Sequence, residues 1–450
     1  MTAGSNPTSP GDRPDLPSAV PTPRSSVPSP AGLVLRPFRA LRYDPAVAGD
    51  LATLTSPPYD VIDADGVSAL EAANERNVVR LILPREPEEG GADTDRYTAA
   101  RTRLESWRQA GVLRPDPTAA LYVYEQHDPA TGHAQRGLLG ALELTPPEDG
   151  IVLPHENTMA GPVSDRLALY TAVEADLEPI FLVYDGGGAA SAAVAGVDAA
   201  PPLLDAELPD GLRHRVWALT DPAQLAGIAA DLHDRKALIA DGHHRYATYL
   251  QRQAARHAAG GGPGPWDLGL TFLVDATAFG PEVHPIHRVL PGRPAAELAE
   301  QAAKGMAVRE LAGPGESAQA LAAAVGPAYV LTDGGRAWLL EQPDAEQVAA
   351  ALPADHSEAW KALDVSVLHG YVVPALWGLA DSVDTVGSEH DVPAAIAAAL
   401  RTGGTAVLLN PPPVAAVAAV AAGGERMPRK STLFTPKPRT GLVLRDYRDA

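Results

Sequence analysis

The sequence predicts an α/β protein built from mixed α+β sheets and divided into two units. Three observations predict it. Short apolar runs bounded by turn residues alternate along the chain with segments whose apolar residues recur at helical spacing. A Gly/Pro-rich stretch at 257–265, with no strand before it, interrupts the alternation. The length, 450 residues, suffices for two or three ordinary domains.

Composition narrows the function. The chain has 36 Lys and Arg against 56 Asp and Glu, a net charge of −20. Such a balance argues against general binding of nucleic acid or of an anionic membrane, while leaving room for a local basic pocket. With no cysteine, disulfides, thiolate zinc sites and a cysteine nucleophile are excluded, and a cytoplasmic location is the expectation. Residues 1–31 are Pro- and Ser-rich, lack the apolar core of a secretion signal, and read as a disordered tail. The Ala/Val-rich run Val414 to Ala422 falls well short of the ~20 residues of a membrane span. A soluble chain with a small-molecule substrate is expected; its oligomeric state is not readable.

In chain order, Leu33 to Tyr43 reads as a first strand leading into a turn at Asp44-Pro45. Consecutive prolines force Ser56-Pro57-Pro58-Tyr59-Asp60 into extended backbone. That segment either lines a cleft, with Asp60 and Tyr59 as site residues, or is a rigid connection into a helix near Val67 to Ala73. Asn77 to Leu83 reads as a strand stopped by Pro84, Glu86 to Asp95 as a polar loop, and Arg96 to Ala110 as a helix closed by Gly111. Leu121 to Gln126 and Arg136 to Leu144 flank a turn and read as a hairpin. Ile151 to Leu153 is a strand end, followed by a polar loop and a helix from about Ser164 to Ala175.

Leu177 to Asp185 is a further strand; Gly186 to Gly188 behind it miss the dinucleotide spacing and read as a flexible loop. A strand at Arg213 to Leu219 and a helix at Asp221 to Asp231 come next. Beyond the 257–265 break, expected to be a domain boundary or hinge, Leu268 to Ala276, Val283 to Leu290 and Ala328 to Thr332 read as strands. Ala295 to Lys304, Ala345 to Leu352 and Val367 to Trp377 read as helices, the last kinked by Pro374. His284 and His287 have the wrong spacing for two ligands on one strand face and read as packing residues.

The chemistry is placed at Lys236 to Leu250. Ala237 to Ala240 is an apolar run too short for a helix, Asp241-Gly242 breaks it, and Tyr246, Tyr249 and Leu250 follow at helical spacing. A strand turning tightly into a helix leaves unpaired backbone N–H groups at the positive end of the dipole. His243, His244 and Arg245 in that first turn make an anion site, phosphate above all. The alternative is that Asp241 only caps the helix while the other three face solvent.

Two further stretches bear on it. His155 and Glu156, in Pro154-His155-Glu156-Asn157-Thr158, offer a base and its orienting neighbour, or a solvated loop. The closing segment Gly423 to Gly441 is a near miss to a P-loop: Arg429 replaces the second glycine and Pro428 removes an N–H. It nonetheless gathers Arg429, Lys430, Lys437 and Arg439 beside Ser431 and Thr432, to close over a phosphorylated ligand or to form an exposed basic end.

Six motifs resemble, in order, those of a bacterial family named domain of unknown function 1015. They are Arg36 to Tyr43, Pro57-Pro-Tyr-Asp60, Pro154 to Thr158, Asp241-Gly-His-His-Arg245, Leu363-Asp-Val-Ser-Val-Leu-His369 and Met427-Pro-Arg-Lys-Ser-Thr432. Residues 150–255 are also similar to the free-serine kinases of the ParB/sulfiredoxin fold. That resemblance implies a ParB/sulfiredoxin-like core at about 150–255 within an N-terminal α/β domain (32–258), and an additional C-terminal α/β domain (266–445).

It further implies a nucleotide-dependent phosphotransferase acting on a small hydroxyl compound. Glu156 would be the base, with His155 and His244 beside it. Asp241, Gly242, His243, His244, Arg245 and Thr158, joined by Lys430, Ser431 and Thr432, would bind nucleotide phosphates. ATP or ADP with Mg²⁺ is the implied cofactor set, the ion held through waters by Asp241 or Asp60; no direct protein metal site is assigned. Two alternatives stay open: a non-catalytic nucleotide- or phosphate-binding regulatory protein of ParB-like ancestry, and a metal-dependent hydrolase using His155, Glu156, His243 and His244. No HExxH or comparable spacing supports the hydrolase.

Overall fold

Strands Ala237–Asp241 and Ile180–Tyr184 are buried throughout and, apart from Asp241 at the end of the first, apolar, as expected of strands covered on both faces. The computed structural model describes residues 30–86 and 95–449. The tail expected at 1–31 lies almost wholly outside these residues, as does most of the Glu86 to Asp95 loop.

Nine strands form the larger mixed sheet. Along it run Val152–Leu153, Ala237–Asp241, Ile180–Tyr184, Leu268–Asp275, Ala134–Glu143, Leu121–His127, Arg213–Leu219 and Leu204–Glu207, with Leu35–Arg36 added against Ala134–Glu143. Two pairs are parallel, Ala237–Asp241 with Val152–Leu153 and Leu268–Asp275 with Ile180–Tyr184. Side chains alternate across the sheet. Ile180, Leu182, Ala237 and Ile239 join a core shared with the Ala160–Val173 and His243–Ala258 helices. Phe181, Val183, Leu238 and Ala240 belong to a second core that continues into the other unit. A fully buried Ile or Phe contributes roughly 2–3 kcal/mol, so both faces anchor the strand that ends at Asp241.

The second unit holds a six-stranded antiparallel sheet in the order Ala307–Glu310, Ala337–Glu341, Tyr329–Thr332, Thr405–Leu409, His287–Leu290 and Gly387–Glu389. Helices that include Ala295–Ala302, Val392–Thr402 and Val414–Ala422 accompany it. Among the described residues no helix is long and apolar enough to cross a membrane.

Several expectations need correction. The break at 257–265 is not the boundary, because Leu268–Asp275 lies in the middle of the larger sheet, between Ile180–Tyr184 and Ala134–Glu143. Nor does the second unit run on to 445. Leu433–Thr435 pairs with Glu282–His284, Thr440 bridges to Ser56, and Arg445–Asp446 pairs with Ala175–Asp176, so the closing segment returns to the first unit. Asn77 to Leu83 is no strand: the buried Asn77 Oδ1 accepts the Val79 N–H at 2.9 Å and starts the short helix Val79–Ile82.

The other differences are smaller. Leu33 to Tyr43 splits into Leu35–Arg36 and Leu41–Tyr43, and Asp44 caps a four-residue helix. The helix placed at Ser164 begins at Ala160, with Pro162 tolerated in its first turn. Val283 to Leu290 divides into two strands of different sheets. Gly188, the third glycine of the supposed flexible loop, opens the helix Gly188–Ala195. The Pro374 segment is a widened π-helical stretch, Leu368–Leu376, rather than a simple kink.

Candidate active site

Asp241 ends its strand, and Gly242 turns the chain at φ +93° into the His243–Ala258 helix. That left-handed turn is open to glycine, and glycine is needed for a second reason. A Cβ here would lie 3.0 Å from Arg245 Nε, because the Arg245 side chain folds back under the turn. Only 1% exposed, Arg245 donates to Asp241 Oδ2 and to the Pro179 carbonyl. The neighbouring Asp241 and Glu178 carboxylates hold its pKa up against burial. Arg245 therefore braces the turn from beneath and does not present its guanidinium at the helix mouth, where phosphate binding was expected of it.

Burial also changes the part played by the histidines. His155 is fully buried, and the loss of hydration lowers its pKa to about 4. Burial first, and the nearby His155 and His244 second, lower that of His243 well below the ordinary value; burial also lowers His244. All three are neutral at pH 7. The His155 N–H donates to His243 Nε2 at 3.3 Å and the Met159 N–H to His244 Nε2 at 3.0 Å. With Nε2 accepting, the proton of His243 sits on Nδ1, and Nδ1 lies 3.6 Å from Glu156 Oε2. The first-turn histidines thus suspend the Pro154–Met159 loop over the helix start and place Glu156 beside His243. They are not cations for phosphate.

Glu156 keeps its side chain 37% exposed. Burial of its surroundings and the Asp241 charge raise its pKa, while Lys430 and Lys437 pull it down. Thr158 is exposed on the rim. Tyr59 packs its ring against the Arg166 guanidinium at 4.4 Å and donates its N–H to buried Glu178 at 2.9 Å, which sets Asp60 at the edge of the site.

The closing segment completes the arrangement. His155 Nε2 and Thr432 Oγ1 are 2.9 Å apart, and the Met427 N–H donates to the His155 carbonyl at 2.8 Å. Lys437 Nζ lies 2.6 Å from Asp241 Oδ1 and 3.5 Å from Asp60 Oδ2. Its backbone is pinned: Gln126 and Gln135 donate their side-chain N–H groups to the Lys437 and Pro436 carbonyls, each at 2.9 Å. Of the other basic residues, Arg429 pairs with Asp381 at 3.1 Å and Arg439 with Asp210 at 3.5 Å. Lys430 is exposed, while Ser431 is buried and its hydroxyl donates to the Pro428 carbonyl.

Mg²⁺ does not fit the carboxylates expected to hold it. Asp241 has one oxygen on Lys437 and the other on Arg245, and the Lys437 ammonium also reaches Asp60. Among the described residues no three His, Asp or Glu side chains converge as metal ligands, which leaves the hydrolase alternative without a donor set. Around Glu156, the Asp241 and Asp60 carboxylates oppose the Lys430 and Lys437 ammoniums. The surplus attraction for an anion comes from the backbone N–H groups of the first helical turn.

Lys437 was legible as part of a basic run but was not assigned to the site; its signal was positive charge concentrated in an acidic chain. Gln126 and Gln135, which position the site from the sheet, and Glu178, from the loop ahead of Ile180–Tyr184, carried no sequence signal.

Comparison with known proteins gives the following. The family described as "Protein of unknown function (DUF1015)" matches residues 35–366. None of the curated proteins matches the chain. Among solved structures, a free serine kinase variant in complex with ADP is similar at 14% identity and a TM-score of 0.33, over 66% of this chain and 88% of that one. A conserved hypothetical protein from Pyrococcus furiosus is similar at 14% identity and a TM-score of 0.30, over 66% and 94%. SbnI with a C-terminal truncation, from Staphylococcus aureus, is similar at 11% identity and a TM-score of 0.34, over 68% and 87%. Superpositions this loose give no argument about chemistry.

Proposed function

This chain belongs to the DUF1015 family, a membership that assigns no activity, and from the site itself we propose a nucleotide-dependent phosphotransferase acting on a small hydroxyl compound, in the manner of a free serine kinase. One observation carries the reading: Glu156, a partly exposed carboxylate whose pKa burial raises, lies 3.6 Å from His243 Nδ1 at the N-terminus of a helix.

Phosphoryl transfer asks for charge neutralisation and in-line placement more than for covalent chemistry from the protein. The amides of the His243–Ala258 helix start and the Lys437 ammonium supply positive potential for the phosphates of ATP or ADP. Glu156 takes the proton of the acceptor hydroxyl as the new O–P bond forms. The old P–O bond breaks and its electron pair leaves with the nucleotide. His243 and His244 hold the loop that carries Glu156, and Thr432, through His155, ties the closing segment to that loop.

The test is to incubate the purified protein with labelled ATP, ADP or CTP and a panel of amino acids and hydroxy acids, and to look for a phosphorylated product. Glu156→Gln is expected to abolish turnover while nucleotide affinity stays within about threefold. Unchanged turnover in that variant removes Glu156 as the base. Nucleotide binding without product from any acceptor favours the non-catalytic, regulatory reading instead.

A further inference from the structure

A second cavity, of about 530 Å³, lies in the C-terminal unit. Its wall is largely aliphatic, from Leu321, Leu363, Val365, Leu409, Pro411–Pro413 and Ala416, and its polar groups are few: Arg288, Lys430, Ser431, Asn410 and Asp364. This is the size and make-up of a small-molecule pocket. Two motifs singled out in the sequence meet on it, the Leu363–His369 run from one side and the Lys430-Ser431 pair from the other.

Arg288 decides its polarity. It is 1% exposed, and among the described residues no carboxylate lies within 4.0 Å of it. Its Nε donates to His369 Nε2 at 2.9 Å, and its terminal nitrogens donate to the carbonyls of Ile286 at 2.7 Å and Lys430 at 2.9 Å. All of these acceptors are neutral. The nearest acid, Asp381, is engaged by His369 Nδ1 at 2.9 Å and by Arg429 at 3.1 Å. Burial, with Arg429 alongside, depresses the Arg288 pKa to about 10, the mark of a charge its surroundings do not neutralise. Lys430, held at the left-handed φ of +53°, adds an ammonium with no carboxylate within 4.0 Å among the described residues.

We propose that this cavity binds a small organic carboxylate with an apolar body, its carboxylate toward Lys430 and Arg288 and its hydrocarbon against the Leu/Pro/Ala wall. A carboxylate suits it better than a phosphate. The hydrogen bonds of Arg288 are already committed to carbonyls and His369, and the Ser431 hydroxyl to Pro428. That leaves the Lys430 ammonium as the main free donor, with Arg288 acting through its charge, and the aliphatic wall suits the single charge and apolar body of a carboxylate better than a phosphate dianion. Asp364, on the same wall, would face the far end of the ligand. Ser431 lines this cavity while the next residue, Thr432, bonds His155, so the two sites stand back to back across one short loop.

Titration calorimetry on the full chain tests this with hexanoate, hexanamide and inorganic phosphate as probes. Hexanoate is expected to bind saturably and at least about tenfold tighter than the isosteric hexanamide. Ala416→Leu, which fills the cavity from its wall, is expected to weaken hexanoate about tenfold; Lys430→Gln is expected to weaken it severalfold. Equal affinity for acid and amide, hexanoate binding untouched by Ala416→Leu, or phosphate displacing hexanoate as the tighter ligand would each overturn the assignment. Because no arm depends on turnover, its failure and that of the phosphotransferase reading are separable.

Discussion

Replacing Lys437 by Met removes the ammonium that joins Asp241 to Asp60 and leaves an isosteric apolar chain in its place. At 2.6 Å and an effective dielectric near 20, the Lys437–Asp241 attraction is about 6 kcal/mol. Desolvation offsets much of it, since the two side chains are only 19% and 11% exposed. Breaking one half of a buried pair costs about 3–5 kcal/mol. Arg245 still holds the other oxygen of Asp241, so we expect a loss just under that range, about 2–3 kcal/mol at pH 7. In Asp241→Asn the same pairing is already weakened, and a double-mutant cycle with Lys437→Met should return a coupling of about 2 kcal/mol.

The pH dependence of that loss has a definite sign. Burial works to raise the pKa of Asp241, but Lys437 and then Arg245 bring it below the ordinary value. A lowered carboxylate contributes stability that is present above its unfolded pKa, near 3.9, and is lost as pH falls through the folded value. Lys437 is raised by Asp241 against its own desolvation, and its contribution is lost only in alkali, above about 10.4. The difference between wild type and variant should therefore be full at pH 7 and shrink as the pH falls below about 4. Urea unfolding at several pH values measures it. A variant as stable as wild type at pH 7, or equally destabilised at pH 7 and pH 3, would refute the reasoning.

Three further outcomes are expected. Gly242→Ala forces a left-handed residue and a contact with the Arg245 guanidinium; it should cost about 1–3 kcal/mol in urea unfolding, and a loss under about 0.5 kcal/mol would mean the turn relaxes. The acid limb of kcat/KM should lie above the usual carboxylate range and move further up in Lys430→Gln, since Lys430 lowers the pKa of Glu156; a limb that stays or moves down removes Lys430 from the neighbourhood of the base. Burial lifts the pKa of Asp364 to about 6, so ionising it in the folded state costs about 2–3 kcal/mol above pH 6 and nothing below about 3.9. Asp364→Asn should therefore stabilise the protein at pH 8 but not at pH 4, and equal gains at both would count against the burial argument.

What the sequence could determine by itself was local. The apolar run Ala237 to Ala240, the Asp-Gly turn and the helical spacing behind it act over a few residues, so strand, turn and helix were readable in order. The Pro-His-Glu loop ahead of a helix was readable for the same reason. Tertiary structure decided what these residues do, because the deciding contacts span long stretches of chain. Arg245 turned inward once the Pro179 carbonyl and Asp241 offered it buried acceptors. His243 and His244 became supports for the Pro154–Met159 loop because burial removed their charge and left Nε2 to accept. Lys437 came to rest on Asp241 only because Gln126 and Gln135, three hundred residues earlier, hold the backbone that carries it. The boundary at 257–265 failed likewise: glycine and proline mark where a chain can bend, while the pairing of Leu268–Asp275 with two distant strands sets which unit the next residues join.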